Sequence, residues 1–193
     1  MSIVLLASGG LDSTLSAVLA VEQGLEVHPL FVDYGQIAKE RELNACRVNY
    51  KHYGLPAPKV VNVQGFGDLY PSGLTNINMD IFEDAFLPGR NMLFLLVGAT
   101  YACNVCASSI SIGLLSEELS LFPDQTKEFL GKAQDLISMM TGRELQILAP
   151  LMDFTKRDVV ALAEKKGIIG TYSCHAGGET PCGECIACKE FDF

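Results

Sequence analysis

Positive charge is what this sequence has least of. Its 193 residues carry 14 Lys and Arg against 23 Asp and Glu, a formal net charge of −9. A broad nucleic-acid surface needs clustered cations that release counterions, so that class of partner is excluded. A small anionic ligand held by a few local donors is not. Charged residues of both signs make up only 19%, and hydrophobic ones 49%, which excludes a disordered chain. There is no internal repeat and no low-complexity tract. A basic segment is missing at the N-terminus, and the apolar run Ile3–Ala7 is too short for a secretory leader. The expected location is therefore cytoplasmic, where thiols stay reduced. The seven cysteines, four of them crowded into 174–188, then read as a metal site rather than a disulfide framework.

Charge is also absent from Asn91 to Ser116, a stretch long enough to span a bilayer. Asn104, Ser108, Ser109 and Ser111 near its far end favour a buried helix followed by a central strand, with no membrane partner. Cys103 and Cys106 within that stretch are expected in the core, where free cysteine acts as a small hydrophobe.

Strand-like apolar runs alternate with helical patterns along the chain. Strands are expected at Ile3–Ala7, Val27–Val32, Lys59–Val63, Ile110–Leu114 and Leu145–Leu148. Between and after them, helices are expected after Ser13, at Lys39–Tyr53, from Arg90, at Thr126–Thr141 and at Thr155–Lys166. Thr155 and Asp158 have capping-box spacing, and Gly167 stands where a helix end needs left-handed backbone. The Gly/Pro-rich segment Gln64–Gly89 reads as a long ordered loop or lid. This alternation predicts an α/β fold with a doubly wound parallel five-stranded sheet and right-handed crossovers. Ligands in such sheets bind beyond the strand C-termini, where the strand order reverses. The expected division is 1–170 for a ligand-binding catalytic unit and 171–193 for a cysteine-bearing tail packed on it.

Two motifs carry chemistry. Ser8-Gly9-Gly10-Leu11-Asp12-Ser13-Thr14 follows the first strand and opens the first helix. Its glycines allow a tight turn that presents N–H groups to an anion, and the helix N-terminus adds donors and partial positive charge. Asp12 in a phosphate nest implies a bridging Mg²⁺. The Gly-Lys-Ser/Thr ending of a Walker A loop is missing. The second motif is Cys174-x7-Cys182-x2-Cys185-x2-Cys188. Four thiolates with two tight turns suit tetrahedral Zn²⁺; an iron–sulfur cluster is the alternative. Arg90, after a Pro-Gly turn, and Lys156, at the start of the last long helix, are the cations placed to clamp an anionic ligand.

The string Ser8–Ser13 resembles the pyrophosphate loop of the ATP pyrophosphatase superfamily. Further strings resemble its 7-cyano-7-deazaguanine synthase branch: Asp33-Tyr34-Gly35-Gln36, Pro88-Gly89-Arg90-Asn91, Phe122-Pro123-Asp124, Pro150-Leu151, Ser173-Cys174 and Pro181-Cys182-Gly183-Glu184-Cys185. The resemblance implies an adenine-nucleotide alpha-hydrolase-like fold with a small C-terminal zinc knuckle. It implies ATP, Mg²⁺ and Zn²⁺ as cofactors, and adenylation of 7-carboxy-7-deazaguanine with release of pyrophosphate. Amidation by ammonia and dehydration to the nitrile would follow, in queuosine biosynthesis.

By the same resemblance, Asp12, Ser13, Arg90 and Lys156 are catalytic. Ser8, Gly9, Gly10, Leu11, Asp12, Ser13, Thr14, Asp33 and Gly113 hold the nucleotide. Tyr34, Gln36, Arg90, Asn91, Phe122 and Asp124 meet the substrate, with Asp124 facing the deazaguanine. Cys174, Cys182, Cys185 and Cys188 hold the metal. A homodimer is also implied. The family's usual Arg-His after Asp-Tyr-Gly-Gln is Ile37-Ala38 here, and its Trp before Ser-Cys is Tyr172. Residues 118–126 also depart from the family pattern. Replacement of polar residues by Ile37, Ala38 and Leu121 would suit a widened pocket. That matches synthase-like proteins of bacterial antiviral operons, which join deazaguanine by an amide to a protein amine at an N-terminus. A tRNA-thiolating relative with an iron–sulfur cluster is a further alternative.

Overall fold

The computed structural model describes residues 1–116, 118 and 120–192. Leu119, within the divergent stretch 118–126, and Phe193, the last residue of the tail, lie outside the described residues.

Five strands form one parallel sheet: β1 (Ser2–Ala7), β2 (Glu26–Asp33), β3 (Lys59–Asn62), β4 (Ser109–Ser111) and β5 (Gln146–Leu148). Their order is β3-β2-β1-β4-β5. β1 pairs with β2 from Ser2↔Glu26 to Ala7↔Phe31 and with β4 from Ile3↔Ser109 to Leu5↔Ser111. The connecting helices are α1 (Leu11–Glu22), α2 (Lys39–His52), α3 (Arg90–Asn104), α4 (Lys127–Thr141) and α5 (Lys156–Lys165), and a short α6 (Ile186–Lys189) lies in the tail.

β1 is central, so both of its faces are covered. Val4 and Leu6 pack on one side with Leu95 and Ala99 of α3 and Leu130 and Ile137 of α4. Ile3, Leu5 and Ala7 pack on the other with Ala17 and Ala20 of α1 and Cys46 and Tyr50 of α2. This two-residue alternation with both sets apolar is why β1 reads as an unbroken hydrophobic run. α5 docks on α1 through Val159 and Ala163 against Leu11, Leu15 and Val18. Its N-terminus is fixed by the expected box: Thr155 Oγ1 accepts from Asp158 N, and Asp158 accepts from Thr155 N at 2.9 Å.

Two expectations need correction. β4 is a three-residue strand: Ile112 N still donates to Leu148 O of β5 at 2.9 Å, and the chain then turns so that Gly113 passes close to the start of α1. Cys103 and Cys106 are exposed, not core. α3 buries only the face carrying Leu95, Ala99 and Ala102; Cys103 lies off that face, and Cys106 sits in the turn that ends the helix, at φ +55°. Among the described residues no helix is long and apolar enough to cross a membrane.

The segment Gln64–Gly89 is ordered loop. It starts with a 3-10 turn at Gln64–Phe66, is tied by Gly73 N to Asp84 O, and meets the β2–α2 loop through Ile37 N to Leu74 O at 2.9 Å. Leu74, Ala85 and Leu87 form a small apolar cluster with Tyr34, against which Phe94, Phe122 and Ile186 pack.

Candidate active site

The strand order reverses between β1 and β4, and a cavity of about 250 Å³ opens beyond the C-terminal ends of the strands. Ser8, Gly10, Asp12 and Ser13 form one wall, with Gly113 packed against Asp12 and Ser13. Tyr34, Gln36, Glu42, Arg90, Asn91 and Phe122 line the other half.

The first wall is a local product of the chain. Gly9 has φ +76°, and a Cβ there would collide with the backbone carbonyl of Glu42. Gly10 precedes α1 in extended conformation and offers no side-chain cap. The donors of the first turn of α1 are thereby left for a ligand. Ser13 Oγ accepts from Ser8 N at 3.2 Å and lies 3.0 Å from Ser8 Oγ, which holds the loop in a tight curl. Gly113 lets the chain pass close to this turn: a Cβ there would stand 3.3 Å from Ser13 N, a tight contact.

Lys156 closes this wall. Its ammonium donates to both carboxylate oxygens of Asp12 at 2.9 Å and pairs with Glu190 Oε2 at 2.9 Å. The ring of Phe191 stands 4.7 Å from Lys156 Nζ. The residue is 5% exposed. Burial pulls its pKa down, but Asp12 and Glu190 outweigh that and hold it above the usual lysine value. Glu190 is a cavity residue that sequence reasoning missed; in the tail it looked like any solvated acid.

The other half is assembled from distant segments. Gln36 is fully engaged: its Oε1 accepts from Tyr34 N at 3.0 Å, and its Nε2 donates to Val32 O at 3.2 Å and to Glu42 Oε2 at 3.1 Å. Tyr34 packs on Phe94 with ring centroids 5.4 Å apart, and the Arg90 guanidinium lies 6.0 Å from the Tyr34 centroid. Burial pushes the Glu42 carboxyl up to about 7, against the opposing effects of the Gln36 hydrogen bond and the Arg90 charge. Tyr172, Ser173 and His175 complete the wall from the tail, and His175 Nδ1 is buried without a partner among the described residues. Glu42 and His175 were also missed: Glu42 belongs to no informative local string, and His175 stands beside Ser173-Cys174, where the cysteine drew the reading to the metal.

Several residues named from the sequence stand off the cavity wall. Asp33 is buried, accepts from Gly35 N and Gln64 Nε2, and pairs with Lys39 at 3.1 Å, so it knots the end of β2 to its neighbouring loops. Gly9, Leu11 and Thr14 support the loop from behind; Thr14 Oγ1 donates to Gly10 O at 2.8 Å. Asp124 accepts from Asn91 N at 3.4 Å through its side chain and from Asn91 Nδ2 at 3.1 Å through its carbonyl. Ile37, Ala38 and Leu121 do not line the cavity; Ala38 is buried and Leu121 exposed.

The four tail cysteines converge. Their Sγ atoms all lie within 4.8 Å of one another, and Cys182 Sγ is 3.9 Å from Cys188 Sγ. A tetrahedral ion with metal–sulfur bonds of about 2.3 Å sets its ligands about 3.8 Å apart, so the spacing fits a single metal ion. Backbone N–H groups of His175, Cys182, Glu184 and Cys185 donate to the sulfurs, which favours thiolates. The knuckle is pinned to the Ser8–Thr14 loop by Tyr172 N to Gly9 O at 2.9 Å.

The family model of queuosine biosynthesis protein QueC matches residues 2–191. The chain belongs to this family. It is 34% identical over 200 residues to 7-cyano-7-deazaguanine synthase of Acetivibrio thermocellus, covering 96% of this chain and 88% of that one. It is 32% identical over 198 residues to the synthase of Oceanobacillus iheyensis, covering 96% and 89%. Among solved structures, the U34-tRNA thiolase NcsA from Methanococcus maripaludis with its [4Fe-4S] cluster aligns with TM-score 0.56 at 16% identity, over 100% of this chain and 64% of that one. A 4-thiouridine synthetase–RNA complex with bound ATP aligns with TM-score 0.52 at 20% identity, over 86% of this chain and 40% of that one. These two share the fold. Family membership makes the protein a relative of 7-cyano-7-deazaguanine synthases, and the two solved structures show the shared fold alone.

Proposed function

We propose that the protein is an ATP-dependent carbon–nitrogen ligase that converts 7-carboxy-7-deazaguanine to its amide and then to 7-cyano-7-deazaguanine. The observation that carries this reading is one cavity joining an uncapped helix N-terminus to an aromatic-lined recess that holds Arg90 and Glu42. The helix N-terminus offers donors to a triphosphate, and the recess offers aromatic walls to a planar heterocyclic acid. The family relatives, which are named for this synthase activity, support the reading.

A substrate carboxylate oxygen attacks the α-phosphorus of ATP, and the bond to the β-phosphate oxygen breaks. Ser8, Ser13 and the free N–H groups of α1 face the charge that grows on the departing pyrophosphate, and Lys156 adds a cation at the same wall. Asp12, a hard oxygen donor on that wall, is the residue that would hold Mg²⁺. When bound, the ion neutralises charge on the leaving group. Ammonia then adds to the acyl carbon, AMP leaves with one substrate oxygen, and a proton is lost. In the second round the amide oxygen takes the place of the carboxylate oxygen. AMP departs with that oxygen and two protons are lost, leaving the nitrile. No side-chain nucleophile is required, so positioning and electrostatics supply the rate.

Cys174, Cys182, Cys185 and Cys188 would hold a single Zn²⁺. A four-iron cluster keeps its cysteine sulfurs farther apart than the spacing here, and four thiolates leave no open position for catalysis.

The test is mass spectrometry of products from ATP, Mg²⁺ and the deazaguanine acid, with ammonium in one reaction and an amine-terminated peptide in the other. Amide and nitrile with ammonium support the proposal. A peptide adduct formed in preference to them contradicts it.

A further inference from the structure

Three carboxylates line the cavity: Asp12, Glu42 and Glu190. Asp12 and Glu190 are both bound to the Lys156 ammonium, at 2.9 Å each. Glu42 has no cation within ion-pair distance among the described residues, although Arg90 lines the same half of the cavity. Its Oε2 accepts one hydrogen bond, from Gln36, and its Oε1 accepts none among the described residues. The side chain is nonetheless held firmly. Every polar atom of Gln36 is engaged, and the first turn of α2 is pressed against Gly9. The same cavity carries the aromatic rings of Tyr34, Phe94 and Phe122, with Leu74 and Ala85 also in its lining.

A fixed, half-satisfied carboxylate beside aromatic walls matches one chemical feature, a planar heterocycle with two adjacent N–H donors on one edge. The 2-aminopyrimidinone edge of a guanine-like ring is such a feature. We propose that Glu42 is the specificity-determining residue for the acceptor, accepting the ring N–H and the exocyclic amino N–H together. This assignment rests on the function proposed above. It places the acceptor's N–H edge against α2 and away from Asp124, which stands off the cavity wall and meets Asn91.

Only the ionised carboxylate accepts both N–H groups, so acceptor binding depends on the charge of Glu42. The charged and titratable groups near it are Arg90 from α3, Tyr34 from the end of β2, Tyr172 from the tail and Cys46 on α2 itself. Burial raises both tyrosines above their usual value and pushes the Cys46 thiol up to about 12. Glu42 therefore titrates near 7 while those three stay neutral. Acceptor affinity rises as pH goes from 6 to 8.

The experiment measures binding of two ligands by calorimetry: 7-carboxy-7-deazaguanine and its analogue lacking the exocyclic amino group. The proteins are the intact chain and its Glu42→Gln and Glu42→Asp variants, at pH 6 and pH 8, with ATP binding measured in parallel. The intact protein is expected to favour the amino-bearing acid by about 10- to 100-fold at pH 8, as for hydrogen bonds to a charged group. Glu42→Gln is expected to cut that preference to within about 3-fold, abolish its pH dependence and leave ATP affinity unchanged. Glu42→Asp is expected to retain part of the preference, which separates loss of the carboxylate from loss of fold. An undiminished preference in Glu42→Gln overturns the assignment and leaves the proposed function standing. Failure of the intact protein to bind the acid at all overturns the function, and the assignment with it.

Discussion

The two halves of the cavity are made in different ways. The anion loop is built from seven consecutive residues, Ser8–Thr14, closed by a single distant lysine. The acceptor half takes side chains from β2, α2, α3, the Gln64–Gly89 loop and the cysteine tail. Backbone geometry fixes the first half: glycine dihedrals, an uncapped helix start and a β4 loop that passes close to Ser13. Packing fixes the second: a Tyr34–Phe94 contact, a fully engaged Gln36 and an apolar cluster around Leu74. A site held by backbone tolerates side-chain change around it. A site held by packing responds to changes in segments far apart in the chain.

The contrast is sharpest where one charge is removed from each half. Lys156→Ala should reduce AMP formation by about 10²- to 10³-fold, the usual cost of losing one positioned electrostatic group. It also leaves Asp12 and Glu190 facing each other uncompensated, which a lowered melting temperature would report.

Next in size is removal of the metal. Cys185 is 0% exposed and its N–H donates to Cys182 Sγ, so Cys185→Ser or chelation should free the tail. The expected readouts are loss of one bound zinc per chain, protease cleavage after Gly170, and at least a tenfold fall in AMP release as Glu190 and Phe191 leave Lys156.

A smaller effect tests the acceptor half for stability. Glu42 has a folded pKa of about 7 against an ordinary 4.5, so the folded state binds more protons between those values. Stability contributed by the protonated form is therefore present below pH 4.5 and lost as pH rises through 7. Glu42→Gln should be more stable than the intact protein at pH 8, by up to about 3 kcal/mol, with the gap closing near pH 4.5. Equilibrium urea unfolding at the two pH values measures it. The smallest effect belongs to neither half. Lys132→Ala breaks an exposed pair with Glu128 on α4 and should leave the melting temperature and AMP release unchanged.

The same contrast explains what the sequence made legible. The sheet was readable because its strands are short apolar runs between helical patterns, and the capping box of α5 was readable residue by residue. The tight turn at Ser8–Thr14 and the convergence of the four tail cysteines were readable because each is a contiguous string. Glu42 was not, because Glu40, Arg41 and Glu42 together look like a solvated first turn; only the fold shows that Glu42 turns inward. Glu190 was hidden in the same way beside Lys189. Cys103 and Cys106 misled because an uncharged helix looks wholly buried, whereas α3 buries one face. Asp124 was assigned by resemblance, and in the fold it meets Asn91 at the start of α3.

The most direct test of the adenylation account follows oxygen. The deazaguanine acid, labelled with ¹⁸O in its carboxylate, is incubated with the protein, ATP, Mg²⁺ and ammonium, and the AMP is weighed. Attack of the carboxylate on the α-phosphorus predicts one labelled oxygen in the AMP formed in the amidation step. Unlabelled AMP, or ADP and phosphate in its place, would contradict the account.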